Sequence, residues 1–320
     1  MSGLDPVRVL RVFPTTSGLR VELAAAADER LVIVKSTDDP ARYDALTSQA
    51  RQMAALTRIL GCRVFPPVLA AAPGRLIIEY VPGAAIREVA ADLSPDETAD
   101  ALMTAIKTVF SLSAADPCGP PGRGFLATEL RRRAARVASA LARSGPGPEL
   151  PAPVVQVGRM IERWDQELAP ARLGLGVHGD LTPQNVVYSR PTGQTTLIDP
   201  RGQVRWDSGR PWWDPAFDFA AMVAFHAVVD QLPDIAAAAA ATRADALYEE
   251  LVGRCSGEPG IEAWSRLDPA WPRRGRVALL IRLLGNVSVQ LRHFPADGQR
   301  RARTLLDTCS ALAESLIGDQ

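Results

Sequence analysis

Between Val7 and Phe13 apolar and basic residues alternate, the period of an extended strand with one covered face. The cluster Pro14-Thr15-Thr16-Ser17-Gly18 interrupts it, extended character resumes over Leu19–Ala25, Ala27-Asp28-Glu29-Arg30 turns again, and Leu31-Val32-Ile33-Val34-Lys35 is a β-branched run. Asp38-Asp39-Pro40 carries the acid-and-proline signature of a helix start, and the spacing of Leu46, Ala50, Met53 and Leu56 predicts one apolar helical face running to about Leu60. Strands are predicted over 64–70 and 75–81, the second ending at Pro82-Gly83. Beyond Gly83 the apolar period lengthens, and helices are predicted over 95–113, 126–143 and 154–168, separated by Pro/Gly loops. Strand character returns briefly at 175–177, 186–188 and 195–198. From Pro215 the pattern is helical, including the alanine-rich stretch 235–251. The order predicts an α+β chain: a small antiparallel-sheet lobe over residues 1–82, then a large helical lobe over residues 83–320 that carries a short sheet insertion.

Composition narrows the function. The chain has 320 residues, 36 basic and 36 acidic, for a formal net charge of zero. That balance argues against a nucleic-acid or anionic-membrane binder. Hydrophobic residues at 47% and charged residues at 22% fit a folded enzyme rather than a disordered chain. The four cysteines are far apart and have no metal-ligand spacing, the N-terminal stretch lacks the apolar core of a signal peptide, and no apolar run is long enough for a bilayer. A reduced, cytoplasmic protein is expected. Within the basic count only Lys35 and Lys107 are lysine, and only Asn185 and Asn286 are asparagine. Where arginine serves so widely, the surviving lysines and asparagines are candidates for chemistry that accepts no substitute, provided their location supports it.

Location supports two of the four. Val177-His178-Gly179-Asp180-Leu181-Thr182-Pro183-Gln184-Asn185 is followed by Leu197-Ile198-Asp199-Pro200-Arg201. An Asp and an Asn five apart on a loop between strands, with a second Asp ending the next strand, suit phosphoryl transfer. That reaction needs a group to accept a hydroxyl proton, here Asp180, and oxygen ligands for magnesium, here Asn185 and Asp199. A His-x-Asp half-site of a metallo-hydrolase is the competing reading, but no other histidine lies near in sequence. His178 is expected to brace the loop, His226 to be a core histidine, and Trp206, Trp212 and Trp213 to pack the segment or to wall an acceptor pocket.

The His-Gly-Asp-x-x-x-x-Asn loop and the following Ile-Asp strand resemble the aminoglycoside phosphotransferase and choline kinase superfamily, whose fold is similar to that of protein kinases. The resemblance follows the element order of most of the chain and is sharpest over residues 177–202. It implies a bilobal protein-kinase-like fold and an ATP- and Mg2+-dependent transfer of the γ-phosphoryl group to a hydroxyl of a small molecule. It also implies Asp180 as catalytic base, Asn185 and Asp199 as magnesium ligands, and Lys35 as the phosphate-contacting lysine. Nucleotide contacts are implied for Thr15, Thr16, Ser17, Gly18, and the backbone near Glu79, Tyr80 and Val81. Asp218 matches a position that braces the catalytic loop.

The chain departs from that pattern in three places. Gln49 stands where a glutamate often pairs the strand lysine, so the nucleotide's phosphates are expected to supply the counter-charge of Lys35. Pro200 and Arg201 follow the metal aspartate, and no G-x-G-x-x-G loop covers the phosphates. The missing glutamate leaves open a nucleotide-binding pseudokinase or scaffold, while His-Gly-Asp in place of His-Arg-Asp argues against a protein kinase. The acceptor stays undecided among aminoglycoside, sugar, amino alcohol and similar compounds. Residues 207–250 are rich in acids and the last helices are rich in arginine.

Overall fold

A computed structural model describes residues 6–15, 18–61, 64–116, 118–143, 150–201, 204–294 and 296–318. The elements in chain order begin with β1 (Pro6–Phe13), β2 (Arg20–Ala26), β3 (Leu31–Ser36), α1 (Tyr43–Leu60), β4 (Val68–Ala72), β5 (Arg75–Glu79), β6 (Ala84–Ala85) and α2 (Ile86–Val89). There follow α3 (Pro95–Ala114), α4 (Phe125–Arg143), α5 (Ala152–Leu168), β7 (Gly174–Leu175), β8 (Val186–Ser189), β9 (Gln194–Leu197), β10 (Arg205–Asp207) and β11 (Arg210–Trp213). The rest is helical: α6 (Pro215–Ala227), α7 (Ala237–Cys255), α8 (Pro259–Leu267), α9 (Trp271–His293) and α10 (Gly298–Gly318). This is the α+β class expected, a small antiparallel sheet region and a large helical portion. No helix among the described residues is long and apolar enough to cross a membrane.

The chain divides into two compact units, Met1–Ala105 with Leu175–Trp213, and Ile106–Gly174 with Asp214–Gln320. The first holds a five-stranded antiparallel sheet in the order β1-β2-β3-β5-β4. Ala24, Ala26, Val32, Val34 and Ile77 form an apolar cluster on it. Helix α1 is entered through a short 3-10 turn over Pro40–Arg42, where the Asp39 carboxylate accepts from the Ala41 N–H at 3.0 Å. Its buried residues are Leu46, Ala50, Met53 and Leu56, as the periodicity predicts, together with Ala55 and two glutamines, Gln49 and Gln52.

Two short pairings in the same unit carry the later segment. Strand β6 pairs with β8, Ala84 opposite Tyr188, and β8 pairs with β9. Gly83 makes the entry possible: at φ +142°, a Cβ there would stand 2.7 Å from the Tyr188 carbonyl oxygen. One predicted element needs correcting, and one segment left without a predicted element gains one. The strand expected over 64–70 runs over Val68–Ala72, because Pro66 and Pro67 have no N–H to give a ladder, although Val64 and Phe65 are buried. The segment holding Trp206, Trp212 and Trp213 is a hairpin, β10 paired with β11 across Ser208-Gly209, both at positive φ.

The second unit is helical. Phe110, Phe219 and Trp271 meet at centroid distances of 4.7 Å (Phe110–Trp271) and 5.3 Å (Phe219–Trp271), and Tyr248 packs 5.1 Å from Phe219. A buried ionic network ties three segments beside this core. Asp214 caps α6 by accepting from the Ala216 N–H at 3.0 Å, and the same carboxylate takes the Arg274 Nε at 2.6 Å. Arg274 also donates to the Leu168 carbonyl at 2.6 Å and to Asp268. All three charged side chains are at most 4% exposed. Burial pushes the Asp268 carboxyl up, and the guanidinium offsets that only in part. Removing one partner from such a cluster leaves buried charge unmatched. Arg274→Met is expected to destabilise the protein by about 3–5 kcal/mol, whereas truncating the exposed Arg273 changes little; urea denaturation of the two variants measures the contrast.

Candidate active site

The three residues that the sequence places at strand and helix positions far apart meet at one point of the first unit. Lys35 lies at the end of β3 with its side chain 6% exposed, and its Nζ stands 2.7 Å from Asp199 Oδ1. Gln49, on the buried face of α1, accepts from the same ammonium through Oε1 at 3.1 Å. Its Nε2 donates to Asp199 Oδ1 and, at 2.7 Å, to the Pro200 carbonyl. The counter-charge of Lys35 is therefore Asp199, which corrects the expectation that phosphates alone must supply it. The sequence could not show the pairing, because the two residues sit far apart in the chain and share no periodic pattern.

Asp199 follows β9 with φ +58°, the left-handed region, which Asp tolerates better than most side chains. Desolvation by the surrounding chain raises its carboxyl pKa. The charge and hydrogen bond of Lys35 and the Gln49 amide outweigh that and hold it below the usual carboxylate range. The side chain remains about half exposed, 48%. Among the described residues no hydrogen bond engages its second oxygen, Oδ2.

The His-Gly-Asp loop is stitched to this strand end through backbone groups. His178 is fully buried; its Nε2 lies 2.8 Å from the Ile198 carbonyl and its Nδ1 accepts from the Asp180 N–H at 3.2 Å. Those partners require the neutral ring protonated on Nε2. The Arg201 N–H bonds the His178 carbonyl at 2.9 Å, and the Ile198 N–H bonds the Asn185 carbonyl at 2.9 Å. Gly179, at φ +81°, turns the loop between them. Asn185, itself buried, donates its side-chain N–H to the Asp180 carbonyl at 3.0 Å, so its amide oxygen is not used in that bond. Asp180 is half-buried. Helix α1 supports the same loop from a second side chain, Gln52, which donates to the carbonyls of Gly176 at 2.8 Å and Val177 at 3.3 Å, just before His178.

The remaining sequence candidates are placed as follows. Thr15 Oγ1 donates to the Leu19 carbonyl at 2.6 Å, and Gly18, at φ +70°, lies against the Arg42 guanidinium. Thr16 and Ser17 lie outside the described residues. Arg42, which the sequence did not single out, thus brings a cation to the first hairpin turn, paired to Asp39 at 2.9 Å. The Glu79 and Tyr80 N–H groups bond the carbonyls of Pro67 and Leu31, while no hydrogen bond among the described residues uses the backbone of Val81. Trp212 and Trp213 are each 3% exposed and serve packing; Trp206 stacks under Arg51, 4.1 Å from ring centroid to guanidinium. Asp218 is buried in the first turn of α6 in the second unit.

The profile of the phosphotransferase enzyme family matches residues 20–253. No curated protein sequence matches the chain. Among solved structures, choline kinase from Cryptosporidium parvum Iowa II superposes with a TM-score of 0.58 at 10% identity, covering 98% of this chain and 90% of that one. A putative fructosamine-3-kinase from Thermobifida fusca YX-ER1 gives 0.58 at 20%, covering 98% and 96%. Glucosamine kinase in complex with glucosamine, ADP and inorganic phosphate gives 0.52 at 16%, covering 96% and 94%. At those identities the likeness establishes a kinase-like fold.

The lowered Asp199 pKa has a consequence for stability. A carboxyl held below its unfolded value contributes stability above about pH 4 and loses it as the pH falls through the folded value. Lys35→Met removes the cation behind that shift. Wild type is therefore expected to lose stability relative to Lys35→Met as the pH drops below about 4, with a constant difference at higher pH. Paired urea titrations across the acid range check it, and a difference independent of pH would refute it.

Proposed function

The chain belongs to the phosphotransferase enzyme family, and from that premise we propose that it transfers the γ-phosphoryl group of ATP to a hydroxyl of a small molecule, with Mg2+ as resident cation. The observation that carries the reading is the meeting of Lys35 and Asp199 at 2.7 Å beside a loop whose Asp180 and Asn185 are fixed by backbone hydrogen bonds. A glucosamine kinase of similar fold was solved with ADP, which supports nucleotide use here.

The donor set fits magnesium. Asp199 Oδ2 and the Asn185 amide oxygen are hard oxygen donors, and one anionic and one neutral ligand leave room for phosphate oxygens. Bound there, Mg2+ would neutralise charge on the β- and γ-phosphate oxygens. Lys35 turns its ammonium from Asp199 to the phosphates, and the Val81 backbone offers its N–H and carbonyl to the nucleobase edge. Asp180 accepts the proton of the acceptor hydroxyl as that oxygen bonds to the γ-phosphorus and the bond to the β-phosphate oxygen breaks, releasing ADP. Its neighbour His178 positions the loop and takes no proton in the step. We read the enzyme as cytoplasmic, acting on an aminoglycoside, sugar, amino alcohol or similar compound, with no nucleic-acid or membrane partner.

Transfer of labelled γ-phosphate across a panel of those acceptors tests the proposal. Asp180→Ala is expected to lower kcat by about 10²- to 10⁴-fold while ATP binding is retained, and chelation of divalent cations abolishes transfer until Mg2+ is restored. Wild-type turnover in Asp180→Ala would overturn the assignment of the base; nucleotide binding without transfer to any acceptor would point to a scaffold instead.

A further inference from the structure

We infer that Gln49 is a positioning residue of the phosphotransfer site, and that its neutrality is what the site requires; the inference rests on the function proposed above. One amide serves three partners. Its oxygen accepts from the Lys35 ammonium at 3.1 Å, and its nitrogen donates to the Asp199 carboxylate and to the Pro200 carbonyl at 2.7 Å. The partners fix the orientation. A flipped amide would set N–H groups against an ammonium and an oxygen against two acceptors.

A carboxylate of the same shape cannot replace it. Glutamate has no hydrogen to donate, so one of its oxygens would face the Asp199 carboxylate and the Pro200 carbonyl oxygen at hydrogen-bond distance, with both donated bonds lost. The charge of the cluster would change as well. Lys35 and Asp199 sum to zero around a neutral Gln49; a glutamate makes the sum negative where phosphates enter. With glutamine, Asp199 is the one carboxylate partner of Lys35 among the described residues, and that carboxylate is the one proposed to turn to the cation. The ammonium is then released to the phosphates without a second anion competing for it. The glutamine, where the resemblance leads one to expect an acid, is thus a working arrangement, and an acid at this position would harm it.

Three proteins decide the matter: wild type, Gln49→Glu, and Gln49→Met, which keeps the length without hydrogen bonds or charge. Each is measured for apo melting temperature, for ADP affinity without divalent cation by calorimetry, and for kcat and KM for ATP with Mg2+. Both variants are expected to melt below wild type, because each leaves buried polar partners of Gln49 unpaired, yet to stay folded at assay temperature and to lose about 10- to 100-fold in kcat, the usual scale for an outer-sphere partner of a metal ligand. Metal-free ADP binding separates them. Gln49→Glu weakens it about tenfold or more, because an added charge near Lys35 acts at short range, and Gln49→Met leaves it at the wild-type level. A wild-type kcat in Gln49→Glu, or equal ADP affinity in the two variants, overturns the inference. If Gln49→Glu does not fold, a wild-type kcat in Gln49→Met overturns it alone. If wild type transfers phosphate to no acceptor, the proposed function fails, while the ADP titrations still decide the role of Gln49.

Discussion

A buried ammonium has to be paired, and in this chain that requirement organises the site. The Lys35 side chain is 6% exposed at the end of a central strand. Desolvating an unpaired cation there would cost several kcal/mol. The partners come from elements that have no local reason to meet: Gln49 from α1, and Asp199 from the turn after β9. Once they converge, the positive φ of Asp199 has its counterpart in new bonds. The turn presents the Pro200 carbonyl to Gln49 and the Arg201 N–H to the His178 carbonyl. A conformation that is unfavourable for an isolated residue is held by bonds on both sides of it.

Helix α1 is the element that makes this geometry rigid. Its buried face carries two glutamines three residues apart, which places them on neighbouring turns of one side. Gln49 holds the strand-end aspartate, and Gln52 holds the carbonyls that lead into the His-Gly-Asp loop. Buried amides are tolerated because their donors are used. The consequence is a division of labour between main chain and side chains. The loop is fixed by His178 and by backbone bonds. That arrangement leaves Asp180 half-buried, Asn185 buried and the Asp199 side chain about half exposed. Side chains aimed by packed neighbours give the precision that the proposed phosphoryl transfer demands.

Much of this was legible in the sequence, and the parts that were not share a physical reason. Strand alternation, the Asp39-Pro40 helix start and the 3.6-residue periods marked most elements, because burial on one face leaves a repeating trace. The spacing from Asp180 to Asn185 to Asp199 marked the loop. What left no trace is pairing at long range. The Lys35–Asp199 contact has no period, and the role of Gln49 emerges only when three donors and acceptors can be seen around one amide. The β10–β11 hairpin was missed for a different reason. Its tryptophans suggested burial, which is correct for Trp212 and Trp213, but burial alone does not tell a strand from a loop. The apolar Val64-Phe65 stretch misled in the same way, since prolines beside it forbid the ladder that its hydrophobicity suggests.

The rare residues show how far composition reaches. Of the two lysines, Lys107 forms a partly exposed ion pair with Glu258 at 2.6 Å, a role that arginine fills throughout this protein. Of the two asparagines, Asn286 is buried within α9 and bonds the Arg282 carbonyl one turn back. Neither has the convergence seen at the candidate site, so scarcity alone does not mark function. Lys35 differs in kind. Its ammonium is a compact charge that fits between one amide oxygen and one carboxylate oxygen, and it can turn from one anion to another on a flexible stem. A planar guanidinium would need a wider pocket and would hold Asp199 through two bonds, taking up the second oxygen that the proposed metal site requires. Lysine fits the distances around position 35, and the reason for it lies in those distances rather than in its rarity.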